Sequence, residues 1–270
     1  MGATRLYKYL DAKGGHMMLY YSNLMFTNAT CLNDPFDCHP ALIDFSDVPA
    51  EKCKVWPADV VSLIESDPFR RYREKAYICS LSKKYDSLLM WSYYNQHKGV
   101  CLGLDMEKTR KYLSRMMGLI IGCQEWDVQY KEVVEKPDYF RDIQDFFQYQ
   151  MTTKAKAWEH EHEVRLFAYD PLPTYMRLLP GQYVENKSIC EKIQRFFKKQ
   201  TETTLDWNEV HAVLDIGSEC FESVYLGERI KDKDKNKIIE AARKLNPEIR
   251  IYQMTIDPEA FRLKEEIIES

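Results

Sequence analysis

Residues 78–105, ICSLSKKYDSLLMWSYYNQHKGVCLGLD, decide the fold class, because the stretch passes from a two-residue period to a helical one and back. From 77 to 82 the chain alternates: Ser80 and Ser82 share one face, and Tyr77, Cys79 and Leu81 share the other, as in a half-buried strand. Asp86 is placed to cap a helix whose body carries Leu88, Leu89, Met90, Trp91, Tyr93 and Tyr94. Gly99 stands where a helix end calls for positive φ, and residues 100–104 return as a strand.

Working outward, residues 5–10 (RLYKYL) read as a first strand, with Arg5, Tyr7 and Tyr9 on one face and Leu6, Lys8 and Leu10 on the other. Gly14 and Gly15 separate it from residues 17–26, a short helix leading into a strand. Residues 49–75 read as helical, interrupted at Trp56-Pro57 and Asp67-Pro68. A helix follows over 107–117, one or two strands within 118–130, and a helix from Pro137 to about Trp158. The last third reads as a loop over 171–181, a helix over 184–201, and one or two strands within 211–225. A helix begun by the solvated run KDKDKNK (231–237) and a final strand over 249–256 complete it. These elements predict one α+β domain over residues 1–270, a split, largely antiparallel sheet flanked by helices. The core motifs span 5–170, and a C-terminal strand–helix–strand extension spans about 205–258.

At 270 residues the chain can bury a large core, and its net charge of −4 argues against polyanion binding over its whole surface. Eight scattered cysteines with no C-x-x-C pair read as reduced core thiols, and no basic-then-apolar leader opens the chain. No apolar run is long enough to span a membrane. A cytoplasmic protein with no membrane partner is the expectation.

Two stretches are rich in chemistry. In NDPFD (33–37), Asn33, Asp34 and Pro35 are turn formers, so the segment is a shaped loop in which Phe36 is expected to plug the core. In WEHEHEVRLFAYD (158–170), strand alternation puts Glu159, Glu161, Glu163, Arg165 and Phe167 on one face and His160, His162, Val164, Leu166 and Ala168 on the other. The aliphatic face is the buried one, which leaves the ionisable row lining a cleft or forming a solvated strand face. Trp91, Tyr94 and His97 fall at near-helical spacing, a stripe that serves either a core or a ligand site. Lys154, one helical turn before Trp158, is placed either to face the same cleft or to be an exposed helical lysine, and the second reading is preferred.

Four motifs, LYKY at 6–9, NDPFD at 33–37, MWSYYNQHKGV at 90–100 and W-x-x-E-x-E-x-R at 158–165, resemble the bacterial domain of unknown function 2971 family. More distantly, Ser80-Leu81-Ser82 followed by helix, strand and Glu161-His162-Glu163 resembles the ADP-ribosyltransferases that use a basic residue, S-x-S and E-x-E in that order. The first element departs from that pattern, since Lys8 or Arg5 takes the place of the usual Arg or His. The resemblance implies an enzyme that takes NAD as substrate, requires no metal, and modifies a protein or nucleic acid in a toxin or phage-defence setting. Catalytic roles would fall to Glu163, Glu161 and Ser80. Lys8, Arg5, Ser82, Trp91, Tyr94, His97, Arg165, Asn33 and Asp34 would surround the cofactor. Glu163 would stabilise the oxocarbenium-like cation formed as nicotinamide leaves, and Glu161 would orient or deprotonate the acceptor. Two alternatives stand beside this reading. One is a metal-dependent nuclease or hydrolase built on Asp34, Asp37, His39, His160 and His162, and the other is a non-catalytic ligand-sensing module.

Overall fold

Alternation along Arg5–Leu10 makes this segment strand β1: Leu6 enters the main core, whereas Tyr7 and Tyr9 enter a second apolar cluster on the opposite face. A computed structural model describes residues 4–117, 124–169, 206–207 and 210–268. Further strands are β2 (Asn23–Asn28), β3 (Ala76–Ser82), β4 (Val100–Asp105), β5 (Gln124–Asp127), β6 (Gln129–Lys131), β7 (Thr153–Ala155) and β8 (Glu163–Tyr169). Then come β9 (Asp206–Trp207), β10 (His211–Asp215), β11 (Phe221–Leu226), β12 (Arg250–Ile256) and β13 (Leu263–Ile267). The helices are α1 (Ala12–Tyr21), α2 (Ala50–Cys53), α3 (Ala58–Ser66), α4 (Arg70–Arg73), α5 (Leu88–Asn95), α6 (Met106–Met117), α7 (Phe146–Thr152) and α8 (Asp232–Leu245).

Eleven of the strands form one mostly antiparallel sheet with the path β13-β12-β11-β4-β1-β3-β2-β10-β9, and β8 and β5 branch from β3; β6 and β7 form a separate parallel pair. The branch is the feature that positions the candidate site. β8 pairs with the whole of β3, from Ala76↔Tyr169 to Ser82↔Glu163. The other edge of β3 is therefore shared, β2 taking Tyr77 and Ile78 and β1 taking only Ser82. Between those contacts the Ser80 carbonyl has no strand partner on that side, and it accepts a hydrogen bond from Lys8 Nζ at 2.8 Å.

The main core gathers Tyr77, Cys79 and Leu81 from β3 with Val164, Leu166 and Ala168 from β8, the faces alternation assigns. The C-terminal strand–helix–strand is β11, α8 and β12; β11 and β12 are parallel, and β11 joins the same sheet through β4. Among the described cysteines none is in a disulfide, and Cys38, Cys79, Cys101 and Cys220 are buried. Among the described residues no helix is long and apolar enough to cross a membrane.

Several local expectations are corrected. Ser87, not Asp86, caps α5, its hydroxyl accepting from Met90 N, because Asp86 lies one residue too early for that reach. Gln96 and His97 take the positive φ at the end of α5 (53° and 60°), so Gly99 is needed for a different reason. A Cβ on Gly99 would lie 2.1 Å from Leu10 O and 2.9 Å from Asp11 Cα, where two stretches of backbone touch. Gly14 and Gly15 sit inside α1, and the absence of a side chain at Gly15 lets the helix rest against Val100. The helix expected from Pro137 is confined to α7; the chain then enters β7 and a 3-10 turn, Lys156–Glu161. The loop and helix read over 171–181 and 184–201 lie outside the described residues.

Gly99→Ala is expected to cost about 1–3 kcal/mol or more, since backbone rather than a flexible side chain must move. Urea denaturation checks this; an unchanged midpoint would show that the Leu10–Asp11 contact yields freely.

Candidate functional site

The chain buries three acids and two bases in one cluster: Asp37, Glu161 and Glu163 face Lys154 and Arg165, all at most 8 % exposed. The five come from four pieces of local structure. Asp37 is delivered by the 33–37 loop, in which Asp34 Oδ1 accepts from Phe36 N at 2.9 Å and the Asp37 N–H donates to Asp34 O at 3.0 Å. Lys154 comes from β7, and Glu161 from the end of the 3-10 turn. Glu163 and Arg165 share one face of β8.

Lys154 Nζ lies 2.5 Å from Glu161 Oε2, 3.2 Å from Glu163 Oε2 and 3.6 Å from Asp37 Oδ2. The Arg165 guanidinium donates to Glu163 Oε1 (3.0 Å) and Oε2 (3.2 Å), to Asp37 Oδ1 (2.6 Å) and to the Met151 carbonyl (2.6 Å). The Tyr94 hydroxyl donates to Glu161 Oε1. Ser82 Oγ holds the Glu161 carbonyl at 2.7 Å, and the Glu163 N–H donates to the Tyr130 hydroxyl at 2.8 Å.

Burial by itself would raise the Glu163 carboxyl. Arg165 and then Lys154 outweigh it, and with a hydrogen bond from Ser80 they hold it down at about 2. Burial likewise opposes charge on Lys154 and Arg165, and the surrounding carboxylates overcome it and raise both. The Cys38 thiol, 3.6 Å from Arg165, is pushed up to about 12 by burial, so it is no nucleophile at neutral pH.

The structure brings Ser80, Ser82, Glu161, Glu163, Arg165, Tyr94 and the Lys8 ammonium to this neighbourhood. Ser80 lies opposite Arg165 and Ser82 opposite Glu163 across the β3–β8 pairing. The other expected residues lie elsewhere. Arg5 pairs with Glu222 on β11 beside Arg250, because odd positions of β1 face away from Lys8. Trp91 is fully buried, bonded through Nε1 to Tyr85 O and packed edge-on against Tyr9, so it is core. His97 ends α5 and contacts Ser92 Oγ, and its backbone carbonyl accepts from Arg229 N. Asn33 is exposed, and Asp34 shapes its own turn through Oδ1, while its Oδ2 is buried with no hydrogen-bond partner among the described residues. Phe36, expected to plug the core, is exposed, since the inward position of the loop goes to Asp37.

The acidic row is also corrected. Glu161 and Glu163 do not follow one another along a strand: β8 begins at Glu163, and His162 between them takes φ 46°. They converge through Lys154. A solvated strand face is excluded by the burial of Glu163 and Arg165. His160 Nδ1 lies 3.0 Å from the Ala157 carbonyl and His39 Nδ1 accepts from Ala41 N. Among the described residues no three His, Cys, Asp or Glu side chains are grouped to hold a metal ion.

Lys154 is the residue that sequence reasoning misjudged, preferring an exposed helical lysine to one facing the cleft. Its signal was available in outline: buried acids need cations, and Lys154 is one of the few bases just before the EHEHE run. Helical spacing hid it, because the chain is extended there.

A carboxyl held near 2 rather than its ordinary 4.5 contributes stability in full above about pH 4.5 and loses it as pH falls towards about 2. Urea midpoints taken from about pH 6 to pH 3 are expected to fall less steeply for Glu163→Gln than for the wild type, and parallel slopes would contradict the assignment. Lys154→Met leaves three buried acids facing one guanidinium and is expected to cost on the order of 3–5 kcal/mol, measured by the same denaturation. Glu163→Gln, which leaves two acids against two bases, is expected to cost less.

No curated protein and no solved structure matches the chain. The LYKY strand, the 33–37 loop and Ser80 lie outside the segment for which a family is found. Residues 90–166, which hold Tyr94, Lys154, Glu161, Glu163 and Arg165, match the family described as protein of unknown function (DUF2971).

Proposed function

We propose that the chain is an ADP-ribosyltransferase-like enzyme that breaks the nicotinamide–ribose bond of NAD and passes ADP-ribose to a protein or nucleic acid, with a toxin or phage-defence role. The observation that carries this reading is the side-by-side placement of the Ser80 and Glu163 strands, paired along the unbroken edge of β3, with Lys8 reaching the Ser80 carbonyl from β1 at the other, split edge. In the reaction the C1′–N bond breaks and nicotinamide leaves with the bonding pair. The cation left at C1′ is stabilised by the Glu163 carboxylate. An acceptor nucleophile then bonds to C1′ and gives its proton to Glu161.

The four acceptor positions of Glu163 are taken by two Arg165 donors, Lys154 and Ser80, so a ribose 2′-hydroxyl reaches it by displacing Ser80 or Lys154. Glu161 is less filled, accepting from Tyr94 and Lys154. The full pairing of Glu163 favours a second reading, a module that keeps this fold and binds a ligand without turnover.

Nicotinamide release and transfer of NAD-derived label separate the two. The transferase reading expects turnover by the wild type, a fall on the order of a hundredfold in Glu163→Gln, and slow NAD hydrolysis with impaired transfer in Glu161→Gln. Folded Glu163→Gln protein with wild-type turnover would sink the mechanism. NAD retained without turnover by the wild type would establish the binding module instead.

A further inference from the structure

We infer that the protein forms a two-fold dimer in which the outer edge of β13 pairs antiparallel with β13 of a second copy. β13 ends the path of the large sheet, and among the described residues no strand covers its outer side. The register fixes which backbone groups face that side. The Ile268 N–H donates to the Ile251 carbonyl at 2.8 Å and the Asp257 N–H to the Arg262 carbonyl at 3.1 Å, so the even-numbered positions of β13 turn their backbone groups toward β12. Leu263, Glu265 and Ile267 turn theirs outward. A two-fold axis through Glu265 aligns these three positions in both copies and allows roughly six main-chain hydrogen bonds between them.

The side chains of this edge are complementary to themselves under that axis, which commits the partner to a second copy. Leu263 meets Ile267, which is 60 % exposed in the single chain. Lys264 meets Glu266, both exposed, at the positions where facing side chains stand closest. Each contact occurs twice. Moving the axis by one residue in either direction would set Lys264 against Lys264 or Glu266 against Glu266 and shorten the ladder. The like pair on the chosen axis is Glu265 with Glu265. Tyr85, stacked on Tyr225 of β11, donates its hydroxyl to Glu265 Oε1 at 2.9 Å and draws that carboxylate back across its own subunit. The same axis carries Phe261, fully exposed and two residues before Leu263, past Ile267 of the other copy. At that end of β13 lies a groove of about 600 Å³ whose apolar lining is Pro247, Ile249, Ile251, Ile267 and Ile268. An exposed phenylalanine and a partly apolar groove thus meet twice in one assembly. None of these residues belongs to the Glu163 cluster, so the dimer stands apart from the transferase reading.

Sedimentation velocity and light scattering on the full chain, at concentrations from about 1 to about 100 μM, test the proposal. The wild type is expected to reach twice the 32.0 kDa of one chain. Glu266→Lys sets like charges against each other at both mixed pairs and is expected to weaken the dimer about tenfold or more. Lys264→Glu combined with Glu266→Lys reverses both charges and is expected to restore it. Phe261→Ser, which empties the groove contact, is expected to weaken the dimer by about tenfold or more. All of these positions are exposed in the single chain, so the far-ultraviolet circular dichroism of each variant should match that of the wild type. A wild type that stays monomeric at about 100 μM, or assemblies larger than a closed two-fold allows, would overturn the proposal. So would a dimer indifferent to Glu266→Lys or to Phe261→Ser, or a reversal of both charges that fails to restore pairing. Nicotinamide release enters none of these outcomes.

Discussion

Two buried cations hold the centre of this protein together. Lys154 and Arg165 between them meet Asp37, Glu161 and Glu163, and through those contacts they tie the 33–37 loop, β7, the 3-10 turn and β8 to one point. The energy gained need not be large, since taking five ionisable groups out of water costs several kcal/mol per ion. What the arrangement enforces is geometry. Either cation removed leaves buried carboxylates uncompensated, so the loop, the turn and the strand are confined to the positions in which the acids meet Lys154 and Arg165.

The split edge of β3 lies across that strand from β8, which carries Glu163 and Arg165. β1 and β2 diverge along β3, leaving a stretch of backbone without a strand neighbour, and Lys8 supplies the missing donor to the Ser80 carbonyl. On the other side β8 runs unbroken against β3, so Ser80 and Ser82 face the residues that carry the acid cluster. Helix α5 lies beside both features. Tyr94 reaches Glu161 from it, while its neighbour Asn95 holds the Leu10 and Val100 carbonyls at the turn between β1, α1 and β4. One helix thus serves the acid cluster and that turn on successive residues.

The corrections share a cause. Alternation and helical periodicity are local rules, and they located β1, β3, β4, α5 and α6 because each of those segments packs a face on one of the two main apolar clusters. Where a residue's environment comes from distant chain, the same rules misled. Glu161 and Glu163 read as a strand pair but straddle a turn; Phe36 read as a plug but points outward; Lys154 read as a surface lysine but is buried.

The sequence by itself therefore determined the mixed α/β class, the order of the central elements, the burial of Val164, Leu166 and Ala168, and the set of residue types on which chemistry could rest. Periodicity carries that information, since it records which face of a segment meets apolar surroundings. Only the tertiary structure decided which charges meet. Asp37 reaches Arg165 across 128 positions of chain, and Lys8 reaches Ser80 across 72. Such contacts leave no local pattern, because their partners are selected by the closing of the sheet and by the cost of burying an ion without its counterpart.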